Sequence, residues 1–291
     1  MKEVLKPHVF HIGIPKSGST SIQEVLENDS RLKLTRSRFF TGAEWWAKDT
    51  ILKEADFPII ESNETLISGG YQKVKFSQVV ARFHKTNPNA DIIIVLRNQP
   101  KAIMSMYKFH IVNAFWGVKS FRNWLFHTDL GMDYLSICFY GDILKTLMAY
   151  YPKEQIKVLL FEELKKNPSS FYTKFYKSLG LEFECTEFPL QNQNSFSEGQ
   201  LYTLTKLNRF AIFSRKSESR FYHRIGHRIE QRIKFSLIKI FRLTPRKDFF
   251  SWDTIPGKLK IFNEFKKTNQ EIVDLGFVSK EELQANGYLL P

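Results

Sequence analysis

Lys16 sits in a turn crowded with hydroxyls, in the run His11-Ile12-Gly13-Ile14-Pro15-Lys16-Ser17-Gly18-Ser19-Thr20-Ser21-Ile22-Gln23. An apolar stretch (Val9, Phe10, Ile12, Ile14) leads into the turn, and a helical pattern begins near Gly18. A strand-to-helix turn of this kind aims backbone N–H groups and the positive end of a helix at one point, which makes an anion site. The Lys16 ammonium and the hydroxyls of Ser17, Ser19, Thr20 and Ser21 add charge and further donors. The chemistry they suit is the holding of a phosphate or a group shaped like one.

The glycine spacing resembles the phosphate loop of nucleotide hydrolases, G-x-x-x-x-G-K-[ST], but the run departs from it after Gly18, where Ser19 stands in place of the lysine, which comes earlier at Lys16. A magnesium-nucleotide enzyme also commonly ends a second apolar strand in Asp. Here the best candidate strand, Ile92-Ile93-Ile94-Val95-Leu96, ends in Arg97. The pattern predicts an anion site built on lysine without a metal and argues against a kinase or ATPase. Pro15-Lys16-Ser17-Gly18-Ser19-Thr20-Ser21 instead resembles the 5′-phosphosulfate loop of sulfotransferases that use 3′-phosphoadenosine 5′-phosphosulfate (PAPS). Val95-Leu96-Arg97-Asn98-Gln99-Pro100, with Ser105 eight residues after the arginine, resembles the family's 3′-phosphate motif. Eight residues of helix would separate Arg97 and Ser105 by roughly 11–12 Å, and a turn at Pro100 shortens that span.

Weaker echoes follow in the right order. Ile59-Ile60-Glu61-Ser62-Asn63-Glu64-Thr65-Leu66 resembles a strand-end S-S-E-x-L segment of bacterial members. Val158 to Leu164 with Asn167-Pro168 resembles a later strand and helix, and Asn192 to Ser197 a following turn. The ordered set covers roughly residues 8–200 and identifies the chain as similar to bacterial, carbohydrate-type members. The resemblance implies PAPS as co-substrate, no metal, and a carbohydrate or glycolipid acceptor. Sulfuryl transfer needs a base for the acceptor and neutralisation of charge on the leaving phosphate. Lys16 suits the second task. For the base, Glu64 is favoured with Glu61 behind it, since both follow a strand that ends beside the loop; the plainer reading is that Ser62-Asn63-Glu64 caps a turn. His110 is a rival base, against the commoner structural role of a lone histidine, and His11 reads as a strand histidine held by a neighbour. Glu162 reads as structural, orienting a loop residue.

The elements that must hold these groups follow from periodicity. Short apolar runs predict strands over 8–14, 57–62, 91–97 and 156–161, and helical patterns fall over 18–28, 73–86, 99–112, 133–150 and 168–178. Alternation of this kind predicts an α/β, P-loop-like three-layer fold: a central parallel sheet, helices on both faces, and a mainly helical C-terminal part. The ligand crevice then lies at the carboxyl ends of the strands, where Gly13, Glu61, Glu64 and Arg97 fall. The chain of 291 residues, 43% hydrophobic with 27 Phe, is large enough for a core at 1–200 and a packed extension at 201–291 within a single domain.

Cys138 and Cys185 lack metal-ligand spacing and fit a reducing compartment. After Met1 there is no signal-peptide pattern and no run long enough to span a bilayer, so the expectation is a cytoplasmic protein. The aromatic stretch 113–132 and the pair Trp45-Trp46 read as acceptor cleft or as core, and the suitability of aromatic platforms for sugar rings favours acceptor binding. Between Lys206 and Lys247 stand thirteen Lys and Arg against two acids, in a chain of net charge +13. Arg220, Arg224, Arg228 and Arg232 form a basic stripe beside an apolar stripe of Ile225, Ile229, Ile233, Leu237 and Phe241. Three readings stand: a helix packed on the domain with a solvated basic face, a surface for an anionic glycan or the inner membrane leaflet, and, last because no recognised motif accompanies the charge, nucleic acid. Arg246 and Lys247 are candidates for closing on the nucleotide. A further covering helix is expected near Ile261 to Leu275.

Overall fold

The computed structural model describes residues 2–36, 50–64, 66–67, 75–113, 118, 120–183, 196–208, 221–240, 243–245 and 249–291. Its strands are β1 (Lys2–Leu5), β2 (Val9–Gly13), β3 (Lys33–Thr35), β4 (Thr50–Lys53), β5 (Ile59–Ser62), β6 (Asp91–Leu96) and β7 (Ile156–Leu160). The helices are α1 (Ser19–Glu27), α2 (Phe76–Thr86), α3 (Gln99–Val112), α4 (Phe121–His127), α5 (Asp129–Ser136), α6 (Tyr140–Met148), α7 (Phe161–Lys166), α8 (Pro168–Lys177), α9 (Glu198–Leu207), α10 (Phe221–Ile240), α11 (Lys258–Asp274) and α12 (Lys280–Ala285). The chain divides into two compact units, one of 1–99, 137–191 and 262–291, the other of 100–136 and 192–261.

The first unit is built on a five-stranded parallel sheet in the order β3-β5-β2-β6-β7, while β1 and β4 form a separate parallel pair. Both faces of the central strands are apolar, so the sheet must be covered twice. On one face Val9, Ile60, Ile93 and Val95 meet Ile22, Val25 and Leu26 of α1 and Phe171, Tyr172 and Phe175 of α8. On the other, Phe10 stacks on Phe83 of α2 with ring centroids 4.1 Å apart. The expected α/β architecture is therefore present, and β2 lies at its centre. From β2 the chain moves toward β3 and β5, then crosses to β6 on the opposite side. That reversal opens a crevice at the carboxyl end of β2.

In the second unit Trp124 and Phe121 of α4 are buried with Tyr107 of α3, ring centroids 5.6 and 5.3 Å from it. These two aromatics of the stretch 113–132 are thus core, although residues 114–117 and 119 lie outside the described residues. Helix α9 opens with a capping box of Ser197 and Gln200.

Three features correct or add to the sequence reading. The helix expected over 133–150 is two, α5 and α6, broken around a buried Cys138 and the non-helical Phe139. The start of α6 is fixed by close packing on α11: the Gly141 N–H donates to Thr268 Oγ1 at 2.6 Å, and a Cβ there would meet Glu271 at 1.9 Å. Strands β1, β3 and β4, each of three or four residues, were not expected because runs so short carry little periodicity. On α10 the apolar stripe does not pack inward: Ile229 and Ile233 are exposed, while Lys234 and Ile238 are buried. Lys234 enters with partners, pairing with Glu230 and donating to Asn208 Oδ1 at 3.1 Å.

Candidate active site

The loop between β2 and α1 is shaped by its backbone. Ser17 folds the turn back on itself, its N–H and its hydroxyl both donating to the Ile14 carbonyl, at 2.9 and 2.5 Å. Lys16 and Gly18 adopt positive φ, +72° and +87°. At Gly18 any side chain would be strained and would press on Phe161 and Leu164; at Gly13 a Cβ would stand 2.1 Å from Ser19 Oγ. The glycines thus let the strand, the loop and the first turn of α1 come together.

Helix α1 begins at Ser19 with no side-chain cap and no acid in its first turn. The first intrahelical bond runs from the Ile22 N–H to the Gly18 carbonyl at 3.1 Å, so the N–H groups of Ser19, Thr20 and Ser21 point out of the helix end. Ser19 Oγ is buried and has no hydrogen-bond partner among the described residues. Buried hydroxyls are normally satisfied. A buried hydroxyl with no protein partner beside an uncapped helix N-terminus suits an anion.

Three side chains, Lys16, Glu64 and Arg97, lie at this loop. Glu64, half-buried, lies over the end of β2, its Cβ 3.8 Å from where a Gly13 Cβ would be. Burial raises its pKa above the ordinary carboxylate value, and the charges of Lys16 and Arg36 pull part of the way back. Lys16 is the mirror case: burial lowers its pKa, Glu64 raises it, and Arg97 lowers it further. The Lys16 ammonium and the Glu64 carboxylate are therefore both partly desolvated, and each charge acts on the other. Arg97, at the tip of β6, donates from Nη1 to the Lys16 carbonyl and places its guanidinium carbon 4.7 Å from the Phe161 ring centroid.

Sequence reasoning missed what holds Arg97. Its carbonyl accepts from Tyr140 Oη at 2.5 Å. The next N–H, of Asn98, donates to Glu162 Oε1 at 3.0 Å, and Tyr288 Oη donates to Glu162 Oε2 at 3.1 Å. Asn98 Nδ2 donates to the Gly287 carbonyl at 2.5 Å, and Gln99 pairs with Asn269, which in turn holds the Leu289 carbonyl at 2.9 Å. Burial and the neighbouring Glu162 push the Tyr288 phenol well above its usual pKa. The motif around Glu162 was the one signal; nothing in the sequence marked Tyr288.

The remaining candidates have surroundings of their own. Glu61 is fully buried one step down β5, on the Phe10 face of the sheet, and accepts from Thr35 Oγ1 at 2.7 Å. His11 lies on the opposite face with Nδ1 2.7 Å from Ser62 Oγ, and Gln23 Nε2 donates to that same hydroxyl at 3.0 Å. His110 is buried in the second unit, where its Nδ1 accepts from Trp124 Nε1 at 2.8 Å. Ser105 lies on α3. Trp45, Trp46, Cys185, residues 192–195, Arg246 and Lys247 lie outside the described residues.

Against known proteins, residues 6–237 match the sulfotransferase domain family. The chain belongs to the sulfotransferase family. The sulfotransferase of Alicyclobacillus acidocaldarius shares 20% identity over 68% of this chain and 89% of its own, with a TM-score of 0.50, a likeness of fold. Mouse sulfotransferase SULT7A1 complexed with PAP shares 15% identity over 97% of this chain and 86% of its own, with a TM-score of 0.38. No curated protein sequence matches the chain. As a sulfotransferase it carries its uncapped helix end at the crevice beside the central strand. Among the described residues no three His, Cys, Asp or Glu side chains cluster as metal ligands would, and no helix is long and apolar enough to cross a membrane.

Proposed function

We propose that this sulfotransferase moves the sulfuryl group of PAPS to an acceptor hydroxyl, with Lys16 at the leaving phosphate and Glu64 as the base. The observation that carries the reading is the uncapped N-terminus of α1 with the unpartnered Ser19 hydroxyl beside Lys16. These groups fit a doubly charged phosphosulfate: N–H donors, a hydroxyl and an ammonium converge where the anion would lie. PAPS supplies the transferable sulfuryl group. The chain binds its 5′ end through residues 15–21, and Lys16 with the α1 N–H groups neutralises charge on the phosphate oxygen as its bond to sulfur breaks. Glu64 takes the acceptor's proton as the new oxygen–sulfur bond forms. Arg97 and Ser105 are assigned to the 3′-phosphate on the sequence motif. A carbohydrate or glycolipid acceptor is supported by the carbohydrate-type run of motifs.

Calorimetric titration with 3′-phosphoadenosine 5′-phosphate (PAP) in metal-free buffer tests the reading on the wild type, Lys16→Ala and Arg97→Ala. Micromolar binding that both substitutions weaken supports it, and labelled PAPS then screens glycan acceptors. Binding of Mg-ATP in preference to PAP would overturn it in favour of phosphoryl transfer.

A further inference from the structure

Helix α10 is turned inside out relative to its own pattern. It buries Lys234, which needs Glu230 and Asn208 to be tolerated there, and leaves Ile229, Ile233 and Ile240 outside, 53, 56 and 74% exposed. Buried lysines are rare and satisfied ones still lose hydration, whereas exposed isoleucines gain nothing from water. An arrangement of this kind makes sense if the outer face meets something apolar.

The face has a definite shape. Ile229, Ile233 and Ile240 stand at i, i+4 and i+11 on one face about 16 Å long at the rise of an α-helix, with the small exposed Ser236 at i+7 between them. Leu243, just beyond the helix and 47% exposed, follows it. Arg232 and Lys239, seven residues apart and both exposed, form a basic edge along one side. Glu230, the only acid in the helix, is engaged with Lys234.

We infer that this face docks on an anionic lipid bilayer, the isoleucines entering the headgroup–acyl boundary and the basic edge meeting lipid phosphates. A shallow apolar stripe with lysine and arginine beside it is the form of a helix lying in a membrane interface. The charge selects among occupants. A second copy would bring an identical basic edge from a chain of net charge +13, and a soluble polyanion would use the bases and leave the isoleucines wet. An anionic bilayer uses both. The inference goes beyond sulfuryl transfer and does not depend on it.

The test is flotation of the full chain with phosphatidylcholine vesicles and with mixed phosphatidylcholine–phosphatidylglycerol vesicles. The wild type is expected to float with the mixed vesicles alone. Ile233→Ser with Ile240→Ser, and separately Arg232→Gln with Lys239→Gln, are each expected to reduce partitioning by about tenfold or more. These sites are exposed, and unchanged melting curves would confirm that both variants fold. Failure of the wild type to float, or either double variant floating like the wild type, overturns the inference. A lipid-free dimer that the isoleucine variant turns into a monomer would assign the face to a second copy and likewise overturn it.

Discussion

At Glu64 the environment sets a sign that can be measured. Burial raises its pKa and the charges of Lys16 and Arg36 restrain the rise. If Glu64 is the base, as proposed, it must be ionised, so kcat/KM falls as pH drops through that raised pKa, and the acid limb of kcat/KM lies above the ordinary carboxylate value. Arg36→Gln removes one restraining charge and should move the limb further up. Glu64→Gln should lower kcat by about two to four powers of ten while PAP affinity holds. His110→Gln is the control, since Nδ1 is already an acceptor for Trp124; a collapse of kcat there and not in Glu64→Gln would transfer the role. Gly13→Ala should abolish PAP binding, because its methyl would occupy the place of Ser19 Oγ, and isothermal titration reads this directly. Lys16 and Ser19 were legible in the sequence because a loop's donors are adjacent in the chain. Which of Ser17, Ser19, Thr20 and Ser21 keeps its hydroxyl for a ligand was not, since only the fold commits Ser17 to Ile14.

At the scale of elements, the turn after β6 is held by parts far away in sequence: α6 through Tyr140, α7 through Glu162, and the segment after α12 through Gly287 and Tyr288. Tyr288→Phe deletes one hydroxyl. If the clamp positions Arg97, PAP affinity should fall several-fold while that of adenosine 5′-phosphate, which lacks the 3′-phosphate, holds; equal effects on both would leave Tyr288 a packing residue. A second element-level consequence concerns β2. Burial lowers the His11 pKa to about 4, below its ordinary value of 6.5. Between those values the unfolded chain takes up a proton that the folded chain refuses, so stability falls as pH drops from 6.5 toward 4, by about 3 kcal/mol in all. His11→Gln should flatten that part of the urea-denaturation profile; an unchanged slope would place the proton uptake elsewhere. The longer strands and helices could be read from periodicity. The facing of α10 could not, because an apolar stripe says that a face is apolar, not what covers it.

The whole molecule interleaves its two units along the chain, and this is what no local pattern discloses. A boundary sought at residue 200 follows the change in composition, whereas the compact units exchange segments after Gln99, Ser136, Gln191 and Ile261. The loop, Glu64 and Arg97 all belong to the first unit, as does the C-terminal segment that holds the turn after β6. A ligand that binds only the folded form should therefore stabilise the chain by mass action. At a hundredfold excess of PAP over its Kd the gain is about 2.7 kcal/mol, or roughly 4–5 °C in Tm for a chain of this size. The excess charge of +13 adds a field that favours the anion at low ionic strength, so at fixed PAP the shift should shrink as salt is raised. Arg97→Ala should lose most of the difference in Tm shift between PAP and adenosine 5′-phosphate. Scanning fluorimetry over a salt series reads all three effects, and equal shifts from PAP and adenosine 5′-phosphate in the wild type would remove Arg97 from nucleotide binding.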